Sequence, residues 1–306
     1  MVVPPALHAK PLDRVIRELF GLSWNGARDA IRSGKVFREG AAITDPQGLV
    51  GKGDTLEIRP NAPRPHIARR DAFAQDRILL ADQAVVVVNK PAGISTVPFG
   101  DEDPAQERAT LDALVRDVLA RSPRGGRAPL GVVHRLDKDT SGVLVFTRTV
   151  AAKKHLANQF RHHTTERRYV AIVHGRLDKK RTLRSFLVED RGDGIRGSAR
   201  PGQKEGQLAI THVTPLEKLR GATLVECQLE TGRTHQIRIH LSEAGHPLAG
   251  ERVYIRGYRG ERIQAPRLML HARMLGFEHP TSEERVAFEA PPPEDFERVL
   301  SSLQER

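Results

Sequence analysis

The stretch Gly131–Arg148, GVVHRLDKDTSGVLVFTR, constrains this chain more than any other. His134, Arg135, Asp137, Lys138 and Asp139 crowd one short segment, and an apolar, β-branched run, Gly142–Phe146, follows at once. Such a run reads as a buried strand, and the charged knot before it as the loop that enters it. Asp137 is therefore expected on a loop held by a rigid sheet, where binding and catalytic side chains concentrate. Taken alone, the same residues would also suit a salt-bridged turn, so the rest of the chain has to decide.

The 306 residues allow one large domain or a large and a small one. Lysine and arginine number 49 against 38 acidic residues, a formal charge of +11. That surplus predicts attraction to polyanions, with nucleic acid the first candidate. Cys227 is the only cysteine, which rules out an intramolecular disulfide and a four-cysteine zinc site. None of the 13 histidines falls into metal-ligand spacing, and the His162–His163 pair reads as surface or RNA-facing. There is no GxxxxGK[ST] loop and no GxGxxG fingerprint. No metal and no nucleotide cofactor are expected. The first residues lack the apolar core of a signal peptide, and no run reaches the roughly 20 apolar residues of a membrane helix. The expectation is a soluble, cytoplasmic monomer without a membrane partner.

Residues 11–60 read as a small module. Leu12, Val15, Ile16, Leu19 and Phe20 recur at helical spacing, with Gly21 placed to end the helix. A second helix follows from Trp24, with Ser23 as its N-cap, and then short strands. Residues 61–77 are rich in Pro, Ala and Arg and read as a linker. Residues 78–306 form the large domain. Strands are expected at Ala84–Val88, Arg168–His174, Leu208–Leu219 and Ala222–Leu229. Helices are expected at Leu111–Leu119, Ala151–Phe160, Thr234–Ala244 and the C-terminus, and a basic loop at 121–129. Strands and helices mix without strict alternation, which predicts an α+β fold with a mixed, mainly antiparallel sheet.

Four segments of the large domain belong together: NKPAGISTVP (89–98), HRLDKDTSGVL (134–144), ERRYVAIVHG (166–175) and LETGRTHQIRIHLSEAGHPLAG (229–250). In this order they resemble the RluA family of RNA pseudouridine synthases, and RLMLHARMLGFEHP (267–280) and the APPPEDF close are similar to it too. The N-terminal module is similar to the ribosomal-protein-S4-like RNA-binding module. The resemblance implies an enzyme that isomerises uridine in RNA to pseudouridine: the base detaches at N1, rotates and rejoins through C5. The expected substrate is large-subunit ribosomal RNA, with transfer RNA as runner-up. A non-catalytic RNA-binding or ribosome-assembly factor is the alternative from another class.

The resemblance also implies roles. Asp137 matches the essential aspartate, acting either as a nucleophile on the nucleoside or as a base at C2′ while a glycal forms. Arg233 matches the arginine that pairs with it, and Tyr169 the tyrosine that packs against the target base. A base in paired or stacked RNA must be flipped out to be reached, and Arg135 is the candidate to fill its place. Lys90 and His134 are further candidates at the substrate, although Lys90 would also suit orienting the loops, and a neutral His134 imidazole suits a structural, loop-fixing role better. Ile237 or Ile239 would floor the uracil. Arg28, Arg32, Lys35 and Arg38 of the small module are expected to meet phosphates. Two departures from the family pattern stand out: Glu251 follows Gly250 where an aspartate is usual, and 254–266 replaces a short turn.

Overall fold

The computed structural model describes residues 1–8, 10–43, 46, 48, 50–62, 73–98, 110–121, 130–191, 195–199 and 206–304. Most of the expected linker and the expected basic loop lie outside these. The chain divides into two compact units, Met1–Ala72 and Phe73–Arg306.

In the first unit, helices α1 (Leu12–Phe20) and α2 (Trp24–Arg32) accompany a three-stranded antiparallel sheet. Its strands are β1 (Val36–Arg38), β2 (Ala41–Ile43) and β3 (Leu56–Ile58), in the order β2-β1-β3. The helical spacing translates directly into burial: Leu12, Val15 and Ile16 are buried together with Ile31, Val36 and Leu56. Gly21 ends α1 in the left-handed conformation, φ 67°, and the Ser23 hydroxyl accepts from the Gly26 amide at 3.0 Å. The residues ahead of position 11 also belong to this unit. Val3 donates its amide to the Asp54 carbonyl at 2.9 Å, and Val3 and Leu7 are buried in the same core. A module of about fifty residues buries little apolar surface by itself, and these two side chains extend its core.

The second unit is built on one sheet with eleven strands among the described residues. They are β4 (Ile78–Ala81), β5 (Val85–Lys90), β6 (Gly131–Val132), β7 (Ser141–Thr147), β8 (Glu166–His174), β9 (Arg181–Val188), β10 (Gly197–Ser198), β11 (Gln207–Leu219), β12 (Ala222–Leu229), β13 (Leu270–Glu278) and β14 (Arg285–Glu289). The order is β10-β9-β11-β12-β8-β13-β7-β5-β4, with β14 on β13 and β6 on β7. The sheet is mixed and mainly antiparallel; among the described residues only β13 and β7 run parallel. Helices α3 (Leu111–Arg121) and α5 (Gln236–Glu243) share one core with Val86, Val88, Leu144, Tyr169 and Val225. Helix α4 (Val150–Arg161) packs with Val85, Val87, Val143 and Val145, and α6 (Glu294–Leu303) with Val170 and Ile172. The central strands are thus covered on both faces, which is why β5 and β7 read as unbroken apolar runs rather than alternating ones.

The parallel junction joins the two halves of the sheet through His271↔Ser141 and Ala272↔Gly142. It demands Gly142: the residue sits at φ 117°, and a Cβ there would lie 2.1 Å from the Ala272 carbonyl oxygen. This junction is where the charged loop of residues 133–140, which carries Asp137, enters β7.

Candidate active site

Asp137 stands on a loop pinned from below by Lys90. The Lys90 side chain is fully buried, and its ammonium donates to the carbonyls of Pro91 (3.0 Å), Lys138 (3.0 Å) and Thr140 (2.7 Å). Three acceptors suit the three N–H donors of an ammonium. Burial pushes the Lys90 pKa down to about 7, with Asp139 and Asp137 opposing it. On the other flank the Thr96 hydroxyl donates to the Leu136 carbonyl at 2.9 Å and accepts from the Leu136 amide at 3.2 Å. His134 accepts the Val145 amide at Nε2 (3.0 Å) and stacks on Phe160 with centroids 4.5 Å apart. Burial, then Arg167, hold its pKa down to about 3. The ring is therefore neutral, with its proton on Nδ1.

Of the roles considered for Lys90 and His134, these contacts are the loop-holding ones. The Lys90 ammonium and His134 Nε2 are engaged by backbone partners of the loop and of β7.

The wall facing Asp137 comes from the turn after β12 and from α5. Arg238 Nη1 lies 3.5 Å from Asp137 Oδ2, and His235 Nε2 lies 3.8 Å from the same oxygen. Arg233 was the expected partner, and this is corrected: its Nε donates to the Leu208 carbonyl at 3.0 Å, and it forms no ion pair with Asp137. The segment TGRTHQIR carries two arginines five residues apart, and helix register separates them. His235 adopts φ 58° at the N-terminal boundary of α5, leaving Arg233 outside the helix and Arg238 in its first turn. The sequence reading took the arginine on the turn; the helical one reaches the carboxylate.

Arg238 is itself held. Its Nε and Nη2 each meet a Glu251 oxygen at 2.8 Å, and its guanidinium lies over the Tyr254 ring at 5.1 Å. The Glu251 side chain has no solvent exposure, and its Oε1 also accepts the amides of Arg252 (2.9 Å), Val253 (2.9 Å) and Tyr254 (3.3 Å). Burial works against both charges, but the bidentate contact outweighs it: Glu251 is held below the usual carboxylate range and Arg238 above the usual arginine one. The Tyr254 hydroxyl and His235 Nδ1 lie 2.7 Å apart, which orients the imidazole toward Asp137. Glu251 thus fills the position of its usual aspartate by gripping both the arginine and the start of the unusual 254–266 loop.

Tyr169 is 8% exposed and lies on β8, packed in one core cluster with Leu136 and Ile237. Burial raises its pKa to about 12, Arg167 opposing and Asp137 adding. Ile239 packs elsewhere, with Leu187, Ala209 and Tyr254, so Ile237 is the isoleucine on the Tyr169 side. Arg135 is exposed. In the separate N-terminal unit Arg28 binds Asp13 at 2.8 Å and Arg38 approaches Asp54 at 3.4 Å, while Lys35 is half-buried and the Arg32 side chain lies outside the description. Trp24 is 42% exposed between Arg17 (4.8 Å) and Arg28 (5.5 Å).

The assembly is a carboxylate on a rigid loop, a guanidinium of fixed orientation against it, and a buried phenol within their field. This can present one negative group to an electrophilic carbon and steady the charge through the reaction. Among the described residues no three His, Cys, Asp or Glu side chains converge to hold a metal ion, and no helix is long and apolar enough to cross a membrane.

Residues 84–243 match the sequence family described as RNA pseudouridylate synthase. The ribosomal large subunit pseudouridine synthase D of Zymomonas mobilis is 36% identical over 301 residues, which cover 95% of this chain and 93% of that protein. Its namesake from Xanthomonas campestris is 34% identical over 322 residues, covering 99% and 92%. Among solved structures, human RNA pseudouridylate synthase domain containing 4 superposes with a TM-score of 0.59 at 25% identity, covering 77% of this chain and 95% of that one.

Proposed function

The chain belongs to the RNA pseudouridylate synthase family, and from that membership we propose that it acts on large-subunit ribosomal RNA, with Asp137 as the essential carboxylate. The enzyme isomerises uridine in RNA to pseudouridine: the N1–C1′ bond breaks, the C5–C1′ bond forms, C5 gives up a proton and N1 gains one. The substrate reading rests on relatives named for the large ribosomal subunit that match over nearly the whole chain. A ribosomal RNA substrate puts the work in the cytoplasm.

One observation carries the role of Asp137. It is the acidic side chain that meets the oriented Arg238 on a loop fixed by Lys90, with Tyr169 in the same electrostatic field. The carboxylate approaches the sugar of a flipped uridine, at C1′ as a nucleophile or at C2′ as a base. Arg238 keeps it oriented and stabilises its charge in either route. Tyr169, in one core cluster with Ile237, packs against the uracil, and its hydroxyl relays the C5 proton. Arg135 occupies the space the base leaves in the RNA stack. Arg233 is read as a substrate contact rather than as the partner of the aspartate. In the N-terminal unit, the S4-like reading draws support from the exposed Trp24 flanked by two arginines: an aromatic face beside cations suits single-stranded RNA.

The test is a pseudouridine map of ribosomal and transfer RNA, by carbodiimide labelling and primer extension, in a strain deleted for this gene and in its parent. Loss of one or a few large-subunit sites, restored by the intact gene, is the expected result. Loss confined to transfer RNA would overturn the substrate assignment.

A further inference from the structure

We infer that Arg167, with Arg233, seats a backbone phosphodiester of the substrate strand beside Tyr169; this rests on reading the site as one that takes up RNA. Arg167 precedes Tyr169 by two residues on β8, so both side chains leave the same face of the sheet, about 7 Å apart along the strand. It is only 6% exposed. Its Nη2 donates to the Glu230 carbonyl at 2.7 Å, but Nε has no acceptor and no carboxylate lies within ion-pair distance of the guanidinium. Glu230 turns its own carboxylate away, to His212 at 2.6 Å. Nη1 has no acceptor either and, unlike Nε, is open to solvent.

A permanent cation buried without a counter-charge is costly, and proteins avoid it unless something else supplies the anion. Here the deficit is compounded. Besides burial, Arg233 acts on Arg167 as a like charge, and both arginines act on His163 in the same sense, with Glu230 opposing them there. The β12–β8 pairing produces this crowding: Gln228 pairs with Arg168, so the turn that carries Arg233 begins alongside Arg167. Space is reserved for the guanidinium, because a Cβ at Gly232 would lie 2.5 Å from Arg167 Nη1. The Phe160 ring, 5.7 Å from the guanidinium carbon, covers another side. Two neighbouring fork-shaped donors, with the nearby Glu230 carboxylate engaged by His212, fit phosphate geometry. The anion that arrives attached to a uridine packed on Tyr169 is a neighbouring phosphodiester.

The test is binding of fluorescein-labelled dodecauridylate, followed by anisotropy between about 50 and 300 mM KCl. Wild type is compared with Arg167→Met, Arg167→Lys, Arg233→Gln and the distant, exposed Arg176→Ala. Arg167→Met is expected to weaken binding about tenfold and to reduce the slope of log Kd against log[KCl] by roughly 0.7 to 0.9, one phosphate contact. Arg167→Lys keeps the charge and restores the slope while recovering part of the affinity. Arg233→Gln loses slope like Arg167→Met, and Arg176→Ala behaves as wild type. A wild-type slope in a folded Arg167→Met protein overturns the inference. Should circular dichroism show that variant unfolded, a wild-type slope in Arg233→Gln overturns it instead. On transcribed large-subunit ribosomal RNA the Arg167 variants should raise KM with little change in kcat, whereas an arginine that merely shaped the catalytic loop would lower kcat. A wild-type protein that forms no pseudouridine in that RNA, yet shows the slope loss with dodecauridylate, supports the phosphate seat and counts against the substrate assignment.

Discussion

Replacing Glu251 by glutamine should unsettle Arg238 more than any other single change in its surroundings. In the native protein both carboxylate oxygens meet Arg238 at 2.8 Å, and one of them also caps three backbone amides. In Glu251→Gln the amide oxygen can keep the backbone contacts, but its NH2 then faces the Arg238 Nε–H, donor against donor. Breaking a buried pair in this way costs about 3–5 kcal/mol, because it leaves the partner charge uncompensated. Asp137, at 3.5 Å, supplies part of the missing counter-charge, which favours the lower end, about 3 kcal/mol. For a unit of this size that corresponds to a fall in Tm of about 6–12 °C. The relieved arginine also turns toward Asp137 and tightens on it, so kcat falls by about tenfold or more while RNA binding persists. Glu251→Asp keeps the charge, loses reach, and should recover most of the stability. Differential scanning calorimetry with single-turnover pseudouridine formation reads both effects. A Tm within about 2 °C of wild type, together with full kcat, would refute the positioning argument.

Lys90→Met strips the donor from three carbonyls, at about 1–3 kcal/mol each, but also removes a cation that burial disfavours. Stability should change little while kcat drops at least about tenfold, as the Asp137 loop loosens; unchanged single-turnover kinetics would contradict this. Gly142→Ala places a methyl 2.1 Å from the Ala272 carbonyl oxygen at φ 117°, so we expect a loss of about 3 kcal/mol or more, seen in urea titration, and a shift under about 1 kcal/mol would count against the tight junction. His134 and His271 are held down to about 3 and about 4 from an ordinary value of 6.5, burial being the main cause of both. Between those values the unfolded chain binds more protons than the folded one. Stability is therefore complete above the ordinary value and falls as pH drops below it, by up to about 1.4 kcal/mol per pH unit for each histidine. Equal urea midpoints at about pH 7 and about pH 5 would contradict that sign.

The parts of this protein that were legible in the sequence are those set by local periodicity. The apolar spacing of α1, the Ser23 cap, the continuous runs of β5 and β7, and the loop that carries Asp137 all follow from a few neighbouring residues. Strands β9, β13 and β14 were not anticipated. β9 is mostly exposed or half-buried, with Leu187 its one buried residue, and β13 keeps β8 on one edge while its other edge passes midway from β7 to β14. The site shows the same division. Asp137 and Tyr169 sit where local pattern places them, but the choice of Arg238 over Arg233 depends on where α5 starts, through an unusual φ at His235. For Lys90 and His134 motif position left both a substrate contact and a loop-holding role open; the carbonyls and the amide they engage come together only in the tertiary fold. Glu251 and Arg167 gained their meaning from partners, one present and one missing, that lie far apart in the chain or outside it.

The most direct test of the central assignment is pseudouridine formation by Asp137→Asn on transcribed large-subunit ribosomal RNA, measured beside its affinity for dodecauridylate. The amide is nearly isosteric but cannot carry the charge, so the variant should bind within about threefold of wild type, under about 1 kcal/mol, and form no pseudouridine. Product formation at the wild-type rate would show that the carboxylate facing Arg238, on the loop that Lys90 pins, is not the group that performs the isomerisation.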